Sequence, residues 1–241
     1  MQNLTNKTAL ITGGSKGIGY GIAAALMAQG MRVAITSRTQ ASADQAVQEL
    51  SKLGTGEALA LEADVRDFDS QQQAINKVLD KWGQLDLLVA NAGIGHFASI
   101  EDLTLDQWHE TIDTNLTGVF YSIKAGLESL KKSKGYFISI SSLAGTNFFA
   151  NGSAYNASKF GVTGFSQAAM LDIRKYGVRV TTIMPGSVST YFNDHQPSDK
   201  DAWKIQIEDL GQMVVDLMQM NPRTLPSKVE VRPTTPPGSG A

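Results

Sequence analysis

Cysteine is absent from the 241 residues. The chain therefore holds no disulfide, no thiol nucleophile and no thiolate metal ligand, and it suits a reducing compartment. Histidine is scarce. His96, His109 and His195 lie far apart without metal-ligand spacing, so no metal site is expected. Positive charge has no surplus. The net charge of −2 points away from nucleic acid and anionic lipid. No apolar run reaches membrane-spanning length. The opening stretch, MQNLTNKTALITGG, lacks the basic region and apolar run of a signal peptide. The cytoplasm is the expected location.

What is present suits a globular protein with a sizeable core: 42% hydrophobic and 18% charged residues. Apolar β-rich runs alternate with helical patterns. Strands are expected at 8–12, 31–37, 57–65, 85–93, 135–142, 178–186 and 228–232. Helices are expected at 18–30, 42–54, 67–83, across 104–132, and at 154–176 and 207–220, with Asp67 or Asp69 capping the third. Such alternation builds a parallel sheet with helices on both faces. The polar, irregular stretch at 187–206 reads as a lid over a site. One domain over 1–232 is the economical division, with 233–241 a loose, proline-rich end.

ITGGSKGIG (11–19) joins the first strand to the first helix. Its Gly13, Gly17 and Gly19 give a G-x-x-x-G-x-G spacing, a variant of the dinucleotide fingerprint. Glycines permit a tight turn and close approach of a diphosphate, and the helix N-terminus offers it free N–H groups. An unliganded glycine-rich turn is the plainer alternative. At the end of the second strand, Ser37 and Arg38 stand where an acid would bind the ribose hydroxyls of NAD. Lys16 lies within reach of the same pocket. Two cations and no carboxylate favour the 2′-phosphate of NADP, unless both are merely solvated.

Further motifs follow in order: Asp64 with Val65, NAG (Asn91, Ala92, Gly93), Asn115 in DTNLTG, Ser142, then Tyr155 and Lys159 one helical turn apart, and PGSVST with Pro185, Gly186, Val188 and Thr190. With TGGSKGIG (12–19), including Ser15 and Ile18, this set resembles the short-chain dehydrogenase/reductase family, in its compact single-domain branch. The resemblance runs from about Thr8 to Thr190. It implies a Rossmann-type doubly wound parallel sheet, an NADP(H) cofactor and interconversion of a carbonyl and a secondary alcohol. It also implies roles. Asp64 hydrogen-bonds the adenine amine, Asn91 to Gly93 line the cofactor cleft, and Pro185 to Thr190 hold the nicotinamide carboxamide. Tyr155 donates the proton. Lys159 lowers the pKa of that tyrosine and holds the nicotinamide ribose. Ser142 orients the carbonyl, and Asn115 links Lys159 to solvent. The family implies a homodimer or homotetramer built on the helices near 104–132 and 155–176.

The expected substrate wall is Gly95, His96 and Phe97, then Thr146, Asn147, Phe148 and Phe149, then Tyr191, Phe192 and Trp203. Its aromatic content suggests an apolar or flat substrate portion. The C-terminal LPSKVEVRPTTPP departs from the close of bacterial 3-oxoacyl-acyl carrier protein reductases and resembles general or 3-hydroxy acid dehydrogenases. A 3-oxoacyl-acyl carrier protein reductase remains an alternative. So does a non-catalytic nucleotide sensor on the same fold, although such relatives typically lack the tyrosine or lysine.

Overall fold

The structure is a computed structural model that describes residues 2–53 and 56–235. Seven strands form one parallel sheet: β1 (Thr8–Ile11), β2 (Arg32–Ser37), β3 (Ala58–Glu62), β4 (Leu87–Ala90), β5 (Tyr136–Ile140), β6 (Arg179–Pro185) and β7 (Lys228–Val231). Their order is β3-β2-β1-β4-β5-β6-β7. The helices are α1 (Gly17–Ala28), α2 (Gln40–Leu50), α3 (Phe68–Trp82), α4 (Leu105–Ile112), α5 (Gly118–Ser133), α6 (Ser153–Ile173) and α7 (Ile207–Gln219). This is the expected doubly wound Rossmann-type arrangement.

The central strands TALI, LLVA and YFISI are buried at every position, because helices cover both faces of a parallel sheet. Neighbouring residues then feed opposite cores. Ile11, Ile35 and Val89 pack with Leu26, Met27 and Val214 on one face. Leu10, Leu88 and Phe137 pack with Ile75, Ile123 and Val162 on the other. Truncating Phe137 to alanine there would cost about 3–5 kcal/mol. On the first face α1 and α7 touch backbone to backbone. A Cβ on Gly211 would fall 2.6 Å from the Gly21 carbonyl oxygen, so larger residues would separate the helices.

The differences from expectation have local causes. The second helix begins at Gln40 because the Thr39 hydroxyl accepts from Ser42 N and caps it; the expected end at residue 54 lies outside the described residues. Asp67, not Asp69, caps α3, and Gly83 ends it at φ +77°. The expected helical region 104–132 is continuous from Leu105 to Ser133, with a π-turn at Asp113–Thr117 set between α4 and α5. The fourth strand stops at Ala90, where Asn91 turns to bind Thr12. Of the expected loose end, 233–235 are neither helix nor strand and 236–241 lie outside the described residues. All strands run one way, so their C-terminal ends share one edge. The chain reverses direction across the sheet between β1 and β4, and such a crevice is where open α/β sheets bind ligands.

Candidate functional site

A cleft of about 1090 Å³ opens along that edge. Its first half is the turn from β1 into α1. Gly13 and Gly17 hold φ +64° and +60°, the left-handed region that favours glycine. A Cβ on Gly13 would meet Ala92 Cα at 2.9 Å, and one on Gly19 would lie 2.5 Å from Asn91 Nδ2. Asn91 pins the turn: its Nδ2 donates to the carbonyl oxygens of Thr12 (2.9 Å) and Gly13 (3.0 Å). The Thr12 hydroxyl accepts in return from Asn91 N at 3.0 Å and Ala92 N at 3.2 Å. No side chain caps the start of α1, and its first turn carries no acid. The free N–H groups and a helix dipole there fit a diphosphate.

Ser15, Lys16, Ile18, Ser37, Arg38 and Val65 line the same half. Ser15 donates to Ser37 at 3.3 Å. Among the described residues, neither Lys16 nor Arg38 has a carboxylate partner, which suits a further phosphate. Asp64 is engaged by Arg66, whose Nη2 sits 2.6 Å from its Oδ2 and whose Nε donates to both oxygens at 3.1 Å. The Arg66 guanidinium holds that carboxyl below the usual range. Arg66 escaped the sequence reading, although its spacing two places after Asp64 was visible.

The second half gathers Ser142, Tyr155 and Lys159. Ser142 follows β5, and its hydroxyl accepts from Ala144 N at 3.1 Å. Helix α6 sets Tyr155 and Lys159 on one face. Lys159 is buried: its Nζ donates to the Ile140 carbonyl at 3.0 Å and lies 5.6 Å from the Tyr155 ring centre. Asn115 sits in the π-turn, fully buried behind the cleft. Its Oδ1 accepts from Ile94 N (2.8 Å), and its Nδ2 donates to the Ile94 carbonyl (2.9 Å) and to Ser158 Oγ (3.0 Å). Ser158 in turn donates to the Tyr155 carbonyl at 2.7 Å. Asn115 and Lys159 make no hydrogen bond to each other. Gly93 lies between them, where a Cβ would be 3.3 Å from Asn115 Oδ1 and 3.6 Å from Lys159 Nζ.

Burial raises the Tyr155 pKa, while the Ser142 hydroxyl beside the phenol works the other way. Burial also lowers Lys159 to about 8. The expected lowering of Tyr155 by Lys159 is therefore not found in this state. A lysine that loses its proton near 8 is neutral before the phenol titrates, and a neutral amine gives no Coulombic help.

Around Tyr155 the walls are aromatic. Its ring centre lies 5.4 Å from that of Phe97 and 5.7 Å from that of Phe192, and Phe149 packs behind Phe97 at 5.9 Å. His96 lines the cleft with its Nε2 2.9 Å from Glu110 Oε2. Tyr191 also lines it, as do Pro185, Gly186, Val188 and Thr190. Asn147 and Phe148 do not. Phe148 is 85% exposed, because Asn156 Nδ2 donates to the carbonyls of Ala144 and Asn147 (2.8 Å each) and turns the loop outward. Asn156 carries no recognisable sequence signal. Thr146 and Trp203 do not line the cleft either, nor do Phe97 and Phe149, which adjoin it through their ring contacts near Tyr155.

The stretch 187–206, expected as a lid, is closed at its ends by a short parallel bridge of Val188 with Ile205. Its hub is the buried Asp201. Oδ1 lies 2.6 Å from Lys204 Nζ, Oδ2 lies 2.6 Å from His195 Nε2, and Oδ2 accepts from Ser198 N at 3.2 Å. Lys204 first, then His195, hold its carboxyl down to about 2. His195 and Lys204 both face the cleft.

Comparison with known proteins agrees with this geometry. The family model described as short chain dehydrogenase matches residues 7–201. The chain is 36% identical over 192 residues to trans-4-hydroxycyclohexanecarboxylate dehydrogenase of Sinomonas cyclohexanicum, covering 78% of this chain and 74% of that protein. It is also 36% identical over 214 residues to a 3-oxoacyl-[acyl-carrier-protein] reductase of Synechocystis sp., covering 88% and 86%. An alcohol dehydrogenase from the archaeon Thermococcus sibiricus, solved with 5-hydroxy-NADP, superposes with a TM-score of 0.89 at 29% identity, covering 95% of this chain and 97% of that one. A glycine turn, a buried lysine beneath a tyrosine, and a family match across most of the chain converge: the protein belongs to the short-chain dehydrogenase family of oxidoreductases.

Proposed function

We propose that the protein is an NADPH-dependent reductase and dehydrogenase that interconverts a carbonyl and a secondary alcohol. The observation that carries this reading is Lys159, buried under Tyr155 with Ser142 beside the phenol, at the end of a cleft whose far rim holds Lys16 and Arg38. The turn of Gly13 to Gly19 and the N-terminus of α1 hold the diphosphate. Lys16, Ser37 and Arg38 take the 2′-phosphate. Asp64 and Val65 face the adenine, and the segment from Pro185 to Thr190 faces the nicotinamide. When bound, the nicotinamide supplies a hydride to the carbonyl carbon or takes one from the alcohol.

Tyr155 gives its phenolic proton to the carbonyl oxygen as negative charge builds there, and Ser142 donates a hydrogen bond to the same oxygen. Lys159 holds the ribose hydroxyls, and those acceptors keep it charged beside the phenol. Asn115 fixes Ile94 and, through Ser158, the backbone of Tyr155. Phe97, Phe149 and Phe192 give the substrate end an apolar aromatic wall. That wall suits a saturated ring, and the Sinomonas relative is named for an alcohol on such a ring. The half-exposed Phe120 on α5 and Phe160 on α6 support assembly into a dimer or tetramer through those helices, to be read by light scattering.

The test is turnover of cyclic and acyclic ketones with NADPH and with NADH. The reading requires at least one ketone to be reduced, faster with NADPH. Cofactor binding without any turnover would support a nucleotide sensor instead.

A further inference from the structure

The edge of the sheet opposite the cleft holds a second cavity of about 340 Å³, within the range of small-molecule sites. Its walls come from the start of the chain, the end of α5 and the start of β6. They include Lys7, Asp86, Lys134 and Arg179.

Its charges are not balanced. Asp86 is already satisfied: it accepts from Thr8 N at 2.8 Å, from Gln84 Nε2 at 3.1 Å and from Lys7 Nζ at 3.3 Å. Ser133 donates to the Leu85 carbonyl at 2.6 Å, and Gln2 to the Met220 carbonyl at 2.9 Å. Among the described residues, the side chains of Lys134 and Arg179 then have no hydrogen-bond or ion-pair partner. For Arg179 this is unusual, because its Nη1 is buried and unpaired. A buried guanidinium donor without an acceptor is costly, and such exceptions call for a bound water or an ion. The guanidinium is also fixed in place, stacked 4.2 Å from the Tyr136 ring centre. Lys134 is steered as well. It ends α5 at φ +50°, and its stem packs over Gly177, where a Cβ would meet its Cγ at 3.3 Å.

We propose that this cavity binds a small oxyanion, a carboxylate or a phosphate, held by Arg179 with Lys134 closing over it. A planar guanidinium matches either group with two parallel hydrogen bonds, and the ammonium adds a point charge. The site lies on the far side of the sheet from the nicotinamide cleft, so its ligand is neither the cofactor nor the reacting carbonyl. Occupancy would tie the end of α5 to the start of β6 and stabilise the fold by mass action.

The experiment is isothermal titration and thermal unfolding of the full chain saturated with NADPH, using inorganic phosphate in one arm and succinate in the other. Sodium chloride of matched ionic strength is the control. The expected result is that one or both anions bind and raise Tm beyond the chloride control. Arg179→Gln weakens that binding roughly tenfold to a hundredfold, the worth of a charged hydrogen bond. Lys134→Gln, at an exposed position that leaves folding intact, weakens it less. Absence of binding by both anions overturns the proposal. So does binding that both substitutions leave unchanged.

Discussion

Lys159 is buried beneath Tyr155, with its Nζ 5.6 Å from the centre of the phenol ring and bonded to the Ile140 carbonyl. Burying an amine costs stability, and its depressed pKa of about 8 records that cost. Between the folded value and the usual one near 10.5 the unfolded chain binds the extra proton. Stability attributable to this group therefore rises with pH across that window, by roughly 3 kcal/mol. Lys159→Met should remove that rise, increase stability at neutral pH and abolish turnover. Urea unfolding from pH 7 to 10 on both proteins measures it. An unchanged pH slope in the variant would contradict the burial.

Arg38 and Lys16 face the cleft without carboxylate partners among the described residues. Arg38→Asp should raise KM for NADPH by about tenfold or more, since charged hydrogen bonds are lost and a like charge meets the phosphate. KM for NADH should change far less. Equal effects on the two cofactors would remove Arg38 from the 2′-phosphate site.

The segment 187–206 is tied together by Asp201, whose ionised form is favoured by Lys204 and His195. An acid with a depressed pKa stabilises the folded form above its unfolded value. That contribution is lost as pH falls from about 4 towards 2. Asp201→Asn should release Lys204 and His195, raise KM severalfold with a smaller change in kcat, and speed proteolytic cleavage between 192 and 204. It should also remove this acid-range loss. Wild-type proteolysis and KM would show that the cluster does not organise the lid.

Asn115, itself fully buried, satisfies three groups: the half-buried N–H and carbonyl of Ile94, and the buried Ser158 hydroxyl. Asn115→Ala leaves them unpaired and should destabilise the protein by about 1–3 kcal/mol, with a fall in kcat as Tyr155 loses its support. Thermal unfolding and steady-state rates measure the two effects. A stable variant with full kcat would show that the π-turn needs no side-chain anchor.

The strand and helix order was legible because buried parallel strands read as short apolar runs separated by helical patterns. The π-turn at Asp113–Thr117 within the helical region was not. A π-turn adds one residue to a helix without the proline or glycine that would announce it. The chemistry-bearing residues were legible as types in order, and Ser142, Tyr155 and Lys159 meet on one cleft. Their electrostatics were not legible. Whether Lys159 is solvated or buried depends on the sheet above it, so the burial that lowers its own pKa and raises that of Tyr155 could not be read from the spacing. The aromatic wall was legible only in part. Phe97 and Phe192 reach Tyr155, whereas Phe148 faces solvent because Asn156, one residue after the tyrosine, holds its loop from the other side.

The most direct test of the central claim is ketone-dependent oxidation of NADPH by wild type and Tyr155→Phe, followed by the absorbance of the reduced nicotinamide. Removing the proton donor while keeping the ring should lower kcat by about 10²–10⁴-fold, with cofactor affinity nearly unchanged. Wild-type turnover that persists in Tyr155→Phe would contradict the assignment.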